Sequence, residues 1–380
     1  MEDYYSDFRR KPKRRGIVMW LLDTLMSFAM IAVIILSLIT LFVPYIAPDS
    51  MWYFSLLGLV APVTYVAVLI LTLYWIIRWR WKRAGIMLGF TVLGFFYASL
   101  FYRPEIGREY GEQSYRDAFM IVSYNLRWFY NDDGDSGVDE VMDFLEKADP
   151  DIICLQEYNA RVADGNERID ILRSKYQSRF FGDEDEDLPD SVEFVPMCIL
   201  SKYKILRSGV ILSPRTSVWV DLKLDGDTVR VFNNHLLSTA IKSADNDFLT
   251  HHLFQQDTAR EEKVRSIFQR FNDNCVLRAE QVDTIAQVIA ASPRRRIVCG
   301  DFNDTPMSYA YNTMADGLND AFAVCGSGYS HTFRGFFNTL RIDYILSSDD
   351  FEVRSYDVPD SVVASDHLPV VVRLRKLSKD

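Results

Sequence analysis

Six short polar clusters lie in the last two-thirds of the chain, each at the end of a strongly apolar run. They are Ser123-Tyr124-Asn125, Gln156-Glu157, Asn233-Asn234-His235, Gly300-Asp301-Phe302-Asn303, Arg341-Ile342-Asp343 and Ser365-Asp366-His367. Acids, amides and imidazoles brought together in this way have a definite chemical need. Converging carboxylates repel one another unless a hard cation joins them. The set is oxygen-rich, has two histidines and contains no clustered cysteine, so it favours Mg²⁺, with Mn²⁺ as the alternative, over zinc.

Individual members suggest distinct tasks. Glu157 is the best candidate ligand for a cation, with Asn125 as a neutral oxygen donor and Asp366 as a further acid beside the metal or shaping the loop. Asp301 and Asn303 flank a phenylalanine, so on an extended segment their side chains leave the same face. One can orient or deprotonate water while the other donates its amide to phosphoryl oxygens. His235 and His367 are two of five histidines in the chain, and an imidazolium both donates to a phosphate and offsets its charge. Asp343 is placed to fix the tautomer of His367. Arg341 and Tyr344 suit a phosphate contact or a structural salt bridge and core tyrosine equally well.

The elements that position these groups are strands. IVSY, DIICL, VRVF and RRIVC are apolar along their length, as strands buried on both faces must be, and turn polar only where they emerge. Several such ends imply one shared rim. Amphipathic stretches at Val138–Lys147 and Ala279–Ala291 alternate with the strands, and Asp132-Asp133-Gly134, Asp225-Gly226-Asp227 and Ser292-Pro293 punctuate them. A mixed α/β sheet sandwich suits the pattern.

In this order the clusters resemble the endonuclease/exonuclease/phosphatase (DNase I-like) superfamily. GDFN at 300–303 and SDH at 365–367 are the most specific elements, supported by LQE at 155–157. The resemblance runs from about Met120 to Leu374. It implies a four-layer α/β/β/α sandwich and metal-dependent phosphoester hydrolysis. It also implies Glu157 and Asn125 at the metal, Asp301 as base or water-positioning group, and Asn303 as oxyanion contact. Histidine at 235 matches the DNase and sphingomyelinase branches and leans away from the abasic-site endonucleases.

The first third is a different material. Ile17 to Val43 is almost wholly apolar, with Asp23 its only charge; Met51 to Ile77 has none; Ala84 to Tyr102 is a third, shorter run. About 20 helical residues cross a bilayer core of roughly 30 Å, so about three transmembrane helices are expected at about 17–43, 51–77 and 84–102. The first run is too long for a signal peptide, and Pro48 follows the one plausible cleavage residue, Ala47. Residues 1–16 read as a basic cytoplasmic tail, 103–117 as a linker and 118–380 as the catalytic domain. The fifteen-residue linker reaches at most about 50 Å, keeping the domain near the bilayer. Arg9 to Arg15 and Arg78 to Arg83 hold the basic residues, whereas Pro44 to Ser50 has none. The positive-inside rule then places the domain in the periplasm or outside the cell, across an integral membrane anchor. No paired charges are apparent within the apolar runs, which argues against transport.

The chain carries 42 Lys+Arg against 52 Asp+Glu, net −10. Residues 1–110 hold 12 of the basic and 7 of the acidic residues, so the remainder is near −15. A domain that grips nucleic acid through its backbone would normally have the opposite sign. The expected partners are thus the lipid bilayer and a lipid or small phosphoester substrate, with a nucleic acid as the alternative. A tethered DNase I-like endonuclease would need a basic strip along the rim, for which Arg127, Lys202, Arg334 and Arg341 are available. A non-catalytic binding module is the third reading, opposed by the completeness of the clusters. Leu236 to Arg278 suits a crossover helix or a lid beside the site. The acidic run Asp183–Asp187 suits a solvated loop, and Cys275 and Cys325 are candidates for a disulfide.

Overall fold

A computed structural model describes residues 16–51, 53–104, 115, 117–131, 133–181, 196–212, 216–239, 258–293, 295–335 and 338–377. The acidic run at 183–187 and Phe248, His251, His252 and Phe254 lie outside them. The chain divides into two compact units, Met1–Ile39 with Ala61–Phe96, and Thr40–Val60 with Tyr97–Asp380.

Among the described residues five α-helices come first: α1 (Ile17–Phe42), α2 (Pro48–Met51), α3 (Tyr53–Leu59), α4 (Ala61–Ile77) and α5 (Trp81–Ala98). The first unit packs Met30 of α1, Val68, Leu71 and Trp75 of α4, and Ala84 and Met87 of α5 into one cluster. Asp23 is paired after all. It accepts from Tyr74 Oη at 2.8 Å and Arg78 Nε at 2.9 Å, so a charge pair ties the first turns of α1 to the end of α4.

Three membrane-crossing helices were expected, and one described helix qualifies by length and composition, Ile17–Tyr45. The second run is broken. Tyr53–Leu59 and Ala61–Ile77 meet at 59°, and Pro62, in the first turn of α4, explains why: its ring clashes with the carbonyl four residues back, at Gly58, and supplies no N–H. The third run shares α5 with Lys82 and Arg83, which leaves about 15 apolar residues, or roughly 22 Å of helix, short of a bilayer core.

In the second unit β1 (Tyr102–Arg103) pairs with β11 (Gly328–Tyr329). One six-stranded sheet comprises β2 (Ala118–Asn125), β3 (Ile152–Gln156), β4 (Gln177–Phe181), β5 (Met197–Ser201), β13 (Phe351–Asp357) and β14 (Val370–Lys376), in the order β13-β14-β2-β3-β5-β4. The other comprises β6 (Lys204–Leu212), β7 (Ser217–Leu224), β8 (Asp227–His235), β9 (Arg296–Asp301), β10 (Asn319–Asp320) and β12 (Asp343–Ser347), in the order β10-β12-β9-β8-β7-β6.

Side chains alternate across each strand, and this builds the layers. Ile121, Ile152 and Ile199 meet Val220, Val231 and Ile297 between the sheets. Their neighbours Val122, Ile153 and Leu200 point outward, under α6 (Val138–Ala148) and α8 (Glu167–Ser174), which follows the short α7 (Ala160–Ala163). On the far side Phe232, Val298 and Leu346 lie under α9 (Thr258–Ala291) and α10 (Tyr309–Met314); a short α11 (Ala321–Cys325) follows β10. The expected four-layer α/β/β/α sandwich is the fold. From Thr258 onward the Leu236–Arg278 stretch is the helical crossover, with Phe271 buried. All five cysteines are free, so the candidate pair Cys275 and Cys325 is not joined.

Candidate active site

Parallel pairing brings four strand ends to one rim. β2 and β3 run in parallel with Asn125 beside Gln156, and β8 and β9 do so with His235 beside Asp301. β12 and β14 run the other way, so they begin where the others end. Asp343 stands opposite Asp301, giving a row His235–Asp301–Asp343 across one sheet. The loop carrying Ser365-Asp366-His367 leads into β14. Ser365 Oγ donates to Asn125 O at 2.9 Å and accepts from His367 N at 3.2 Å, fastening that loop to the end of β2.

Asp301, 1 % exposed, is the hub. Its Oδ2 accepts from Asn125 Nδ2 at 3.1 Å and Asn303 Nδ2 at 3.0 Å, and its Oδ1 accepts from Asn303 N at 2.8 Å. Nε2 of His235 and of His367 each lie 3.7 Å from Oδ2. Burial, and then the charge of Asp343, push the carboxyl up to about 6, against the opposing pull of both histidines. His367 Nδ1 donates to Asp343 Oδ2 at 2.9 Å. Burial opposes its protonation, but Asp343 and Asp301 together raise its pKa well above the usual imidazole value. His235 Nε2 lies 3.3 Å from Glu157 Oε1. Burial is again outweighed, here by Glu157, and its pKa is raised. For Glu157 burial works upward, yet His235, His367 and Asn125 reverse it and hold the carboxyl at about 2.

Backbone strain accompanies this chemistry. Arg127, Trp128, Phe129, Glu157 and Asn303 all adopt positive φ, between 44° and 67°, a region that non-glycine residues occupy at a cost of order 1–3 kcal/mol each. The surroundings hold them there. Leu126 N donates to Gln156 O and Trp128 N to Glu157 O, each at 3.0 Å.

The expected site residues Asn125, Glu157, His235, Asp301, Asn303, Asp343 and His367 stand in one connected network. Asp366 lines the same cleft, its carboxylate 3.5 Å from Arg127 Nε. Asn303 departs from the extended geometry expected of it. Its left-handed backbone folds the amide back, and Nδ2 donates to Asp301 and to Leu236 O at 2.9 Å. The other polar members of the clusters are structural. Gln156 Nε2 donates to Asn233 Oδ1, and Asn233 Nδ2 to Leu155 O, stitching the two sheets together. Arg341, 2 % exposed, donates to Asp320 and Leu100 O, and Tyr344 Oη donates to Arg341 O; both are structural.

Two donor sets suit a divalent ion. Glu157, 22 % exposed, offers a carboxylate of the kind that Mg²⁺ or Mn²⁺ accepts, and the neighbouring Asn125 amide turns its Nδ2 toward it at 3.3 Å while its Oδ1 accepts from Arg127 N. Asp301, Asp343 and His367 form a second group whose ligating atoms lie within 4.8 Å of one another.

The cleft, about 450 Å³, is also lined by Ile342 of the Arg341-Ile342-Asp343 cluster and by residues that the sequence did not mark as part of a site: Leu59, Trp128, Phe333 and Leu340, which are apolar, and Ser238, Thr239 and Thr305. Trp128 had a legible signal, standing three residues after Asn125. Leu59 had none, since it falls in a run that reads as membrane helix.

The sequence model of the Endonuclease/Exonuclease/phosphatase family matches residues 122–367. A second, for a domain of unknown function, matches residues 23–101. No curated protein matches. Solved structures with a similar fold include an endonuclease/exonuclease/phosphatase from Beutenbergia cavernae (19 % identity, TM-score 0.48, covering 69 % of this chain and 72 % of that one). The human Nocturnin catalytic domain has 19 % identity and a TM-score of 0.45, over 68 % of this chain and 94 % of that one. A Bacteroides thetaiotaomicron mannosyl-6-phosphatase has 18 % identity and a TM-score of 0.46, over 67 % and 99 %.

Proposed function

The chain belongs to the endonuclease/exonuclease/phosphatase family, and we propose that it is a membrane-anchored, Mg²⁺-dependent phosphodiesterase acting on a lipid or small phosphoester outside the cytoplasm. The observation that carries the reaction type is the network around Asp301: an ionisable carboxylate between two histidines, each paired with its own acid.

A divalent ion held by Glu157 and Asn125 would offset charge on the phosphoryl oxygens and the leaving group. The protein's own groups do the rest. Asp301, fixed by the amides of Asn125 and Asn303, orients a water and takes its proton. His367, kept protonated by Asp343, donates to a phosphoryl oxygen, and His235 does the same from the Glu157 side. Asn303 acts through Asp301, as a positioning residue.

Substrate class is argued from charge and tether. Of the four basic residues available for a nucleic-acid strip, Arg127 lines the cleft. Lys202 pairs with Asp149 and Asp151, Arg334 donates to Ser365 O and Arg341 is buried. With the soluble part near −15, this supports a compact phosphoester over a long polyanion. The exposed apolar side chains of α1, among them Leu25, Phe28, Ile31 and Ile35, each over half exposed, support a bilayer partner.

The test is Mg²⁺-dependent cleavage by the full chain in detergent, with phospholipid vesicles and plasmid DNA in parallel and Asp301→Ala as the control. Head-group release without nicking, lost in Asp301→Ala and after chelation, is expected. Nicking alone would instead establish a nuclease, and binding without cleavage a scaffold.

A further inference from the structure

The cleft is lined by both polar and apolar side chains, and the reaction uses only the polar ones. Leu59, one of the apolar ones, is not part of the sandwich. It ends α3, in the segment that joins α1 to α4. This segment is nevertheless built into the catalytic unit. Val43, Pro44, Pro48 and Gly58 are buried, and a Cβ on Gly58 would stand 2.7 Å from Met307 O, so α3 lies against the backbone just after Asp301-Phe302-Asn303-Asp304. Leu59 thereby reaches the same cleft as Asp301, His235 and His367.

We infer that Leu59, which lines the cleft together with Phe333, Leu340 and Ile342, seats the apolar alcohol of a phosphodiester lipid whose chains stay in the bilayer while the phosphate reaches Asp301. This rests on the phosphodiesterase reading and names its substrate class. Three observations favour that occupant. The cleft, about 450 Å³, has the volume of an ordinary small-ligand site, enough for a phosphate and its first substituents but not for two acyl chains. Leu59 stands two residues before α4 begins, roughly 7 Å of chain, so the cleft wall is tied directly to an apolar helix. In the same segment Met51, Tyr53 and Val60 are exposed, each at 40 % or more, so the segment presents further apolar side chains to its surroundings.

The full chain in detergent-free vesicles is tested with two phosphodiesters sharing one leaving group, para-nitrophenyl hexadecyl phosphate in the bilayer and para-nitrophenyl methyl phosphate in solution, both with Mg²⁺. The lipid ester is expected to give at least about a tenfold higher kcat/KM, the scale on which apolar pockets discriminate. In Leu59→Asp that ratio should fall about tenfold, and in Leu59→Met it should hold. Because the readout is a ratio, partial misfolding cancels from it. Gly58→Ala, which displaces α3 without changing Leu59, should also lower it. A ratio near one in the native chain, or one unmoved in Leu59→Asp, overturns the inference and leaves the phosphodiesterase reading intact. If neither ester is cleaved, or cleavage survives Asp301→Ala, the reading itself fails and the inference with it.

Discussion

At Asp301 two opposing influences set the proton, and they fix how the rate should vary with pH. Burial and Asp343 raise this carboxyl to about 6, whereas the protonated forms of His235 and His367 are favoured above their usual range. A reaction needing carboxylate at 301 and imidazolium at 367 should gain rate as pH rises through about 6 and lose it on the alkaline side of neutrality. Asp343→Asn makes a signed prediction. It removes the charge that raises Asp301, so the acid limb moves to lower pH. It also removes the charge that holds the proton on His367, so the alkaline limb moves the same way. The plateau should fall by about 10²–10⁴-fold as the imidazole loses its orienting partner. A pH profile of kcat/KM at saturating Mg²⁺ checks this, and limbs that stay in place would show that Asp343 does not govern either group. Much of this site was legible beforehand, because acids and histidines ending apolar runs are rare and each sat where a strand must emerge. What was not legible is which polar neighbour acts and which merely stitches. Gln156 and Asn233 sit in the same clusters as Glu157 and His235, yet they join the sheets. Only the register of strands far apart in sequence separates the two kinds.

Elements carry these residues to one place, and two glycines show how narrowly. Gly300 sits in β9 at φ 132°, where a Cβ would stand 1.9 Å from Asn234 O in β8. Only glycine adopts that conformation readily, and only glycine lets β8 and β9 approach so closely. Gly300→Ala should destabilise the catalytic unit by about 3 kcal/mol or more, toward the upper end for single substitutions. It should also abolish the activity by splitting His235 from Asp301; urea unfolding followed by near-UV dichroism measures the first effect. Gly58 poses the opposite case. Alanine is worth about 1 kcal/mol over glycine within a helix, so Gly58→Ala would strengthen α3 in isolation. Against Met307 O, however, it has no room. Hydrogen exchange should show protection lost in 53–59 while the sheets stay protected, and unchanged protection there would mean that α3 is not held by this contact. The four-layer sandwich followed from strand patterning, because its strands are buried on both faces and their apolar runs are unambiguous. The second apolar run misled for the reverse reason. Hydropathy does not separate a helix that crosses a bilayer from one that packs on a domain, and the distinguishing marks, Pro62 and Gly58, are local breaks within a uniform stretch.

For the molecule as a whole, Thr40–Val60 belongs to the same compact unit as Tyr97–Asp380, and the helix before it, α1, is the one described helix long and apolar enough to cross a membrane. Its two flanks differ sharply, since Arg9, Arg10, Lys11, Lys13, Arg14 and Arg15 precede it and Pro44 to Ser50 carries no Lys or Arg. On the positive-inside rule the first flank would be the cytoplasmic one, and the proposed location of the catalytic unit outside the cytoplasm rests on that. Arg78, bound to Asp23 near the start of α1, adds a basic residue at that end of the helix. The expectation can be read with two single cysteines, Ser6→Cys in the tail and Ser361→Cys in an exposed turn, above a low background because four of the five native thiols are buried. A membrane-impermeant maleimide should label the first only in inside-out vesicles and the second only in right-side-out ones. Labelling of both from one side would mean that α1 does not cross, and it would return the catalytic unit to the same compartment as its basic tail.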